Sequence, residues 1–182
     1  GQNWTITGHA CQSNGAMHDL DFPTASVGYA CGQNGNINKT TDGGTTWAAT
    51  TAPGVSTVAY QAIQFFGTDT GYIGGRTNTG QDTFVFKKTV DGGATWIDMK
   101  YGMLSSGIAL GSNILSFSFL DQNTGYFILT NKIYKTVNGG ASWTLDYTST
   151  VPSGNFTSGG STTTPFWIFP LKLMLENIAP PG

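Results

Sequence analysis

The acids are the residues best suited by type to do chemistry. A pair of carboxylates, one protonated and one ionised, hydrolyses glycosidic bonds, and Asp19, Asp21, Asp69, Asp98, Asp121 and Asp146 are available for such a pair. Asp69 and Asp121 fall where turns are expected, and turn or strand-edge roles account for all six. Asp42 and Asp91 stand apart, because each lies in a Thr-x-Asp-Gly-Gly run. A carboxylate there accepts N–H groups of its own turn. Asn138 holds the same place in a third run. An amide keeps the acceptor and loses the charge, which a hairpin tolerates and general acid–base catalysis does not. His9 and His18 have no carboxylate cluster around them, so no metal is expected. No serine-histidine-aspartate motif, phosphate loop or dinucleotide fingerprint is present, so no cofactor is expected either. Cys11 and Cys31 match no zinc or redox spacing; they read as one disulfide or two buried thiols.

The composition limits which elements can position these groups. Of 182 residues, 10% are charged, against roughly 25% in an ordinary soluble domain. Glu occurs once, at Glu176, and Arg once, at Arg76. Helical bundles and coiled coils are thereby excluded. A net charge of -2 gives no basic stripe for nucleic acid. With 38% hydrophobic and 13% aromatic residues, disorder is excluded as well. An all-β chain with many glycine turns (26 Gly) remains. No apolar run reaches the roughly 18 residues of a membrane span. Phe166 to Leu175 comes nearest and is broken by Pro170 and Lys172. Gly1-Gln2-Asn3-Trp4 does not read as a signal peptide, so the chain is expected to be cytosolic, already processed or a fragment.

Internal repetition sets the fold. Thr40-Thr41-Asp42-Gly43-Gly44-Thr45-Thr46-Trp47 aligns with 89–96 and with 136–143, so Thr40, Thr89 and Thr136, Gly44, Gly93 and Gly140, and Trp47, Trp96 and Trp143 correspond. The tryptophans are 49 and 47 residues apart. A second motif precedes each run: Phe22 leads to Gly28-Tyr29, Phe65 to Gly71-Tyr72, and Phe119 to Gly125-Tyr126. Lys39, Lys88 and Lys135 hold a further repeat position, read as solvated edge residues. Within 17–51, strands are expected around Leu20 and Phe22, at Val27–Cys31, at Ile37–Thr40 and at Thr45–Thr50, with a hairpin at Asp42-Gly43-Gly44. Four antiparallel strands in ~45 residues, repeated, describe a β-propeller blade. Repeats are placed at about 1–7 (partial), 17–51, 60–100, 114–147 and 166–182 (partial, atypical) of a single propeller over 1–182. The chain is thus about three full blades with partial blades at both ends. Two readings of those ends stay open: a four-bladed ring closed by Trp4–Thr7, or a piece of a longer propeller.

The hairpin resembles the Asp box, also called the bacterial neuraminidase repeat. Together with the Phe…Gly-Tyr motif, it is similar to the repeat of the photosystem II stability/assembly factor family. That resemblance implies an Asp-box propeller acting as a non-enzymatic protein-interaction, scaffold or assembly module outside the cytoplasm, with a protein partner or neighbouring subunit. Asp boxes also occur in sialidases, xyloglucanase-type hydrolases and sortilin-like receptors. A carbohydrate-active propeller, with some catalytic acids outside this chain, is therefore the competing reading, and a structural subunit of a surface assembly is a third. Sialidase activity would require an arginine triad, and Arg76 is alone. The box tryptophans read as hairpin seals rather than a sugar platform.

Blade topology puts the D–A and B–C connections on one face and the A–B turns and boxes on the other. The long connections fall on the first face, where loops commonly bind. Arg76, Asn78, Tyr101 and Met103 are the contact candidates. Cys11 and Cys31 fall on that face of adjoining blades, and a Cys11–Cys31 disulfide is expected if the protein is extracytoplasmic. Low charge and high Thr, Ser, Asn and Gly content favour secretion. Asn3, Asn38 and Asn155 lie in Asn-x-Ser/Thr sequons. No nucleic acid and no membrane span is expected; a glycan ligand stays open.

Overall fold

The computed structural model describes residues 15–50, 57–77, 84–108, 114–129 and 132–148. The expected partial blades, Cys11, Asn78, Asn3 and Asn155 lie outside them. The chain divides into two compact units, Gly1–Asp98 and Met99–Gly182.

Three four-stranded antiparallel sheets follow the three repeats. The first is β1 (Met17–Asp21), β2 (Gly28–Gly32), β3 (Ile37–Thr40) and β4 (Ala48–Ala49), in spatial order β1-β2-β3-β4. The second is β5 (Val58–Phe66), β6 (Thr70–Thr77), β7 (Phe84–Thr89) and β8 (Ile97–Asp98), again in sequence order. The first unit holds both. The second unit holds α1 (Lys100–Ser105) and the third sheet, β9 (Ile114–Phe119), β10 (Gly125–Leu129), β11 (Lys132–Thr136) and β12 (Thr144–Thr148). Strand C of the first repeat matches expectation residue for residue. Strand D shrinks from Thr45–Thr50 to two residues, because box side chains already satisfy the backbone up to Thr46.

The six-residue spacing from Phe to Gly has a steric cause. Each Phe ring lies flat on the glycine that opens the next strand. A Cβ there would meet the ring at 2.6 Å at Gly28 and Gly71, and at 2.4 Å at Gly125. Only glycine admits the ring. The following Tyr points the opposite way, as alternation in a strand requires. In the first unit that direction leads to the neighbouring sheet. Tyr29 stacks on Phe65 with centroids 3.5 Å apart and planes 2° from parallel. Tyr29, Cys31, Ile37, Val58, Tyr60, Ile63, Phe65 and Ile73 form one buried cluster between the two sheets. Each such large side chain contributes about 1.5–3 kcal/mol on burial.

Strand β1 departs from the alternation expected of it. Leu20 is 61% exposed and Phe22 39%, while the alternating acids Asp19 and Asp21 turn inward. Asp19 Oδ2 accepts from Ile63 N–H at 2.9 Å, and Asp21 Oδ2 from Phe65 N–H at 2.6 Å. Donors on the open edge of β5 thus decide which face of β1 is covered. Burial, ahead of these bonds in weight, raises both carboxyls above their ordinary value.

Candidate functional site

Each box is a closed hydrogen-bond circuit around a buried threonine. The Thr40 hydroxyl donates to Asp42 Oδ1 at 2.8 Å and accepts from Gly44 N–H at 2.9 Å and Asp42 N–H at 3.3 Å. Asp42 Oδ1 then accepts from Thr46 N–H at 2.8 Å, and Oδ2 from the Thr46 hydroxyl at 2.6 Å. Thr89, Asp91, Gly93 and Thr95 repeat the pattern. The paired glycines supply the left-handed backbone that brings these donors round; φ is 70° at Gly43 and 90° at Gly44. Asp42 and Asp91 are held down to about 2, chiefly by the hydroxyl of Thr46 or Thr95, then by that residue's N–H and by Thr40 or Thr89.

The third box runs the same circuit with one bond reversed. Asn138 Oδ1 accepts from the Thr136 hydroxyl and from Ser142 N–H, but its amide Nδ2 donates to Ser142 Oγ at 2.8 Å. The Ser hydroxyl accepts where Thr46 donates. Each hairpin also ties to the A–B turn of its own sheet. Gly43, Gly92 and Gly139 N–H donate to the Ser26, Asp69 and Asn123 carbonyls, all at 2.8 Å. Boxes and A–B turns therefore share one end of each blade. Trp47, Trp96 and Trp143 meet Phe22, Phe65 and Phe119 edge-on, with centroids 5.8 to 6.1 Å apart.

The repeated lysines are not solvated edge residues. Each Nζ lies over the Tyr ring paired with it in register, at 5.1 Å (Lys39 on Tyr29), 5.3 Å (Lys88 on Tyr72) and 5.5 Å (Lys135 on Tyr126). In the first unit the pair also grips the next hairpin. Lys39 Nζ donates to the Gly92 carbonyl at 3.2 Å, and the Tyr29 hydroxyl to the Thr68 carbonyl at 2.8 Å. The sequence signal was the recurrence of Lys one strand across from Tyr; what it missed was the neighbouring blade as the receiving partner.

The expected contact residues do not gather in one loop. Arg76 is an exposed residue of β6, not of a connection. Tyr101 and Met103 belong to helix α1, which packs on the box of its own unit rather than extending the opposite end of the blade. Gly102 faces the Gly140 and Ala141 carbonyls, where a Cβ would come within 2.6 Å. The Ser106 hydroxyl donates to the Gly102 carbonyl and accepts from Trp143 N–H. Met103 is 1% exposed and anchors the helix; it cannot be a surface contact. Tyr101 (69%) and Leu104 (43%) face solvent. At the same end of the blade Leu120 and Val137 are exposed. Four large apolar side chains thus stand on the box end of the second unit.

Other acids are taken up locally. Asp121 Oδ1 accepts from Asn123 and Thr124 N–H, which lowers its carboxyl. His18 Nδ1 lies 2.7 Å from the Tyr60 carbonyl. Cys31 is fully buried, and burial pushes its thiol well up. Asn38 has no exposed surface, which removes that sequon from modification in the folded chain.

A family model described as Photosynthesis system II assembly factor YCF48 matches residues 2–153. No curated protein matches the chain. Among solved structures, "YCF48 bound to D1 peptide" is similar with a TM-score of 0.60 at 23% identity, covering 74% of this chain and 40% of its own. YCF48 from Cyanidioschyzon merolae gives 0.60 at 22%, covering 77% and 42%. A GH74 xyloglucanase from Xanthomonas campestris gives 0.54 at 14%, covering 75% and 22%. The chain spans about two fifths of the length of the two YCF48 structures. The shared fold is a β-propeller, and the three sheets are its blades.

Proposed function

The chain belongs to the Photosynthesis system II assembly factor YCF48 family, and on that footing we propose that it is a non-catalytic protein-interaction module that acts in assembly outside the cytoplasm. The observation that carries this reading is the box end of the second unit, where Tyr101, Leu104, Leu120 and Val137 offer apolar surface beside a rigid hairpin. Aromatic and aliphatic side chains held on a fixed frame suit a polypeptide partner. The solved YCF48 structure bound to D1 peptide supports a peptide as the ligand class. The acids argue the same way. Asp42, Asp91 and Asp121 are bound into turns, and Asp19 and Asp21 into the seam between two blades. A glycosidase needs two carboxylates facing an open cleft. The low charge (10% of residues) and the high Thr, Ser, Asn and Gly content support an extracytoplasmic site, and no helix among the described residues is long and apolar enough to cross a membrane.

The test is direct binding of D1 peptide to the chain, followed by fluorescence anisotropy, beside reducing-sugar release from xyloglucan. Saturable peptide binding, weakened on the order of tenfold by Tyr101→Ala with Val137→Ser, is expected. Sugar release with no peptide binding would make the carbohydrate-active reading correct instead.

A further inference from the structure

We propose that the outer edge of β12 docks an extended strand of a partner polypeptide, one that sets a basic residue opposite Asp146 between apolar neighbours. This surface is separate from the box end of the same unit and does not depend on it. Propellers leave only short, protected strand edges, and the first two blades follow that rule. Their outermost strands, β4 and β8, have two residues each. The third blade departs from it, because β12 runs for five residues, Thr144–Thr148.

β12 ends its sheet and is hydrogen-bonded to β11 alone. All five of its residues are exposed, Leu145 to 52% and Tyr147 to 51%. Beyond the ladder to β11, Thr144–Thr148 make one hydrogen bond among the described residues. It runs back to the same strand, from the Thr144 hydroxyl to the Lys135 carbonyl. The N–H and C=O groups of the other edge are left to the outside. Natural edges are commonly blunted by brevity, lysine or proline. Thr144-Leu145-Asp146-Tyr147-Thr148 has none of these, and its one irregularity is a register shift at Asp146.

A row of backbone donors and acceptors is best satisfied by another backbone, so the occupant is an extended chain. Asp146 decides which chain. The pairing with β11 steps from Ile133–Tyr147 to Tyr134–Leu145, so Asp146 has no partner across the ladder. No described residue bonds its carboxylate. A second copy of this chain is disfavoured. Full antiparallel overlap of two β12 strands sets Asp146 opposite Asp146, and like charges directly opposed are destabilising. The same carboxylate favours a lysine or arginine in that place. Leu145 and Tyr147, on either side of it, favour β-branched or aromatic neighbours. The chemistry recognised is therefore an apolar–basic–apolar strand, held by main-chain bonds and selected by one charge.

The test uses the 182-residue chain and a short, capped, fluorescent peptide that alternates valine and threonine about a central lysine. Saturable binding by anisotropy is expected, and the same peptide with a central glutamate should bind roughly fivefold more weakly. Asp146→Lys should reverse that preference, and Asp146→Asn should abolish it. Two further peptides carry N-methyl groups on one or the other alternate set of backbone amides. Only one set faces β12, so one peptide should lose binding and the other keep it. Tyr101→Ala with Val137→Ser, which removes the box-end surface, should leave this binding unchanged, so the two sites fail or stand separately. Absence of binding overturns the proposal, as does equal binding of the lysine and glutamate peptides or of the two methylated ones. Self-association of the chain that Asp146→Asn strengthens would make a second copy the occupant and overturn it as well.

Discussion

In each box one threonine hydroxyl serves two backbone donors and the Asp or Asn side chain, so the hairpin depends on it as much as on that side chain. Thr89 has no exposed surface. Thr89→Val keeps the shape and strands the Gly93 N–H in a buried place, and a loss of about 1–3 kcal/mol is expected in urea unfolding. The acids make a separate prediction. Asp42 and Asp91 have folded values of about 2 against an ordinary 3.8. Below the ordinary value the unfolded chain binds the extra protons, so the stability these acids contribute above about pH 4 drains away as pH falls through about 2. Asp42→Asn with Asp91→Asn should flatten that part of the acid unfolding curve. Asn138 shows that an amide closes the same circuit, and an unchanged curve would mean that the boxes do not govern the acid limb.

At the scale of elements, blades are held by rings laid over glycines and by carboxylates placed against strand edges. Gly71→Ala would drive a methyl into the Phe65 ring. That ring has Tyr29 stacked on its other face, so it has nowhere to retreat. A destabilisation of about 1–3 kcal/mol is expected from thermal unfolding. The seam has its own pH signature. Asp21 is raised, so the folded chain holds its proton to higher pH than the unfolded one. Stability therefore falls as pH rises from the ordinary value through the raised one. Asp21→Asn should remove that fall while still accepting from Phe65 N–H. Asp21→Ala should lower stability at every pH by leaving that donor bare.

Much of this scale was legible from spacing alone. The Phe–Gly offset, the box and strand C at Ile37–Thr40 are local, and their causes lie within a few residues. The burial of Asp19 and Asp21 was not legible, because the donors at Ile63 and Phe65 lie 44 residues away. Nor was helix α1. Its stretch has no N-capping hydrogen bond, and it is held by the box more than thirty residues on. For the same reason Met103 read as a loop contact and is an anchor.

Across the whole molecule, the titrating boxes are unevenly shared. Asp42 and Asp91 belong to the first unit, and the second has Asn138 in their place. Acid should therefore loosen the first unit before the second. Amide exchange near pH 3 should rise in β2, β3, β6 and β7 ahead of β10 and β11. Equal rates in both would show that the box carboxylates do not set the order.

The amide that spares the third hairpin from acid exposes it to time. Asn138 precedes Gly139, the pairing in which a side-chain amide is lost fastest, because a glycine nitrogen is free to attack it. Here that nitrogen is engaged by the Asn123 carbonyl, and Ser142 holds the amide itself. Folding thus stops a chemical clock that the sequence would otherwise run. Ageing to aspartate at position 138 becomes a record of how long each molecule has spent open.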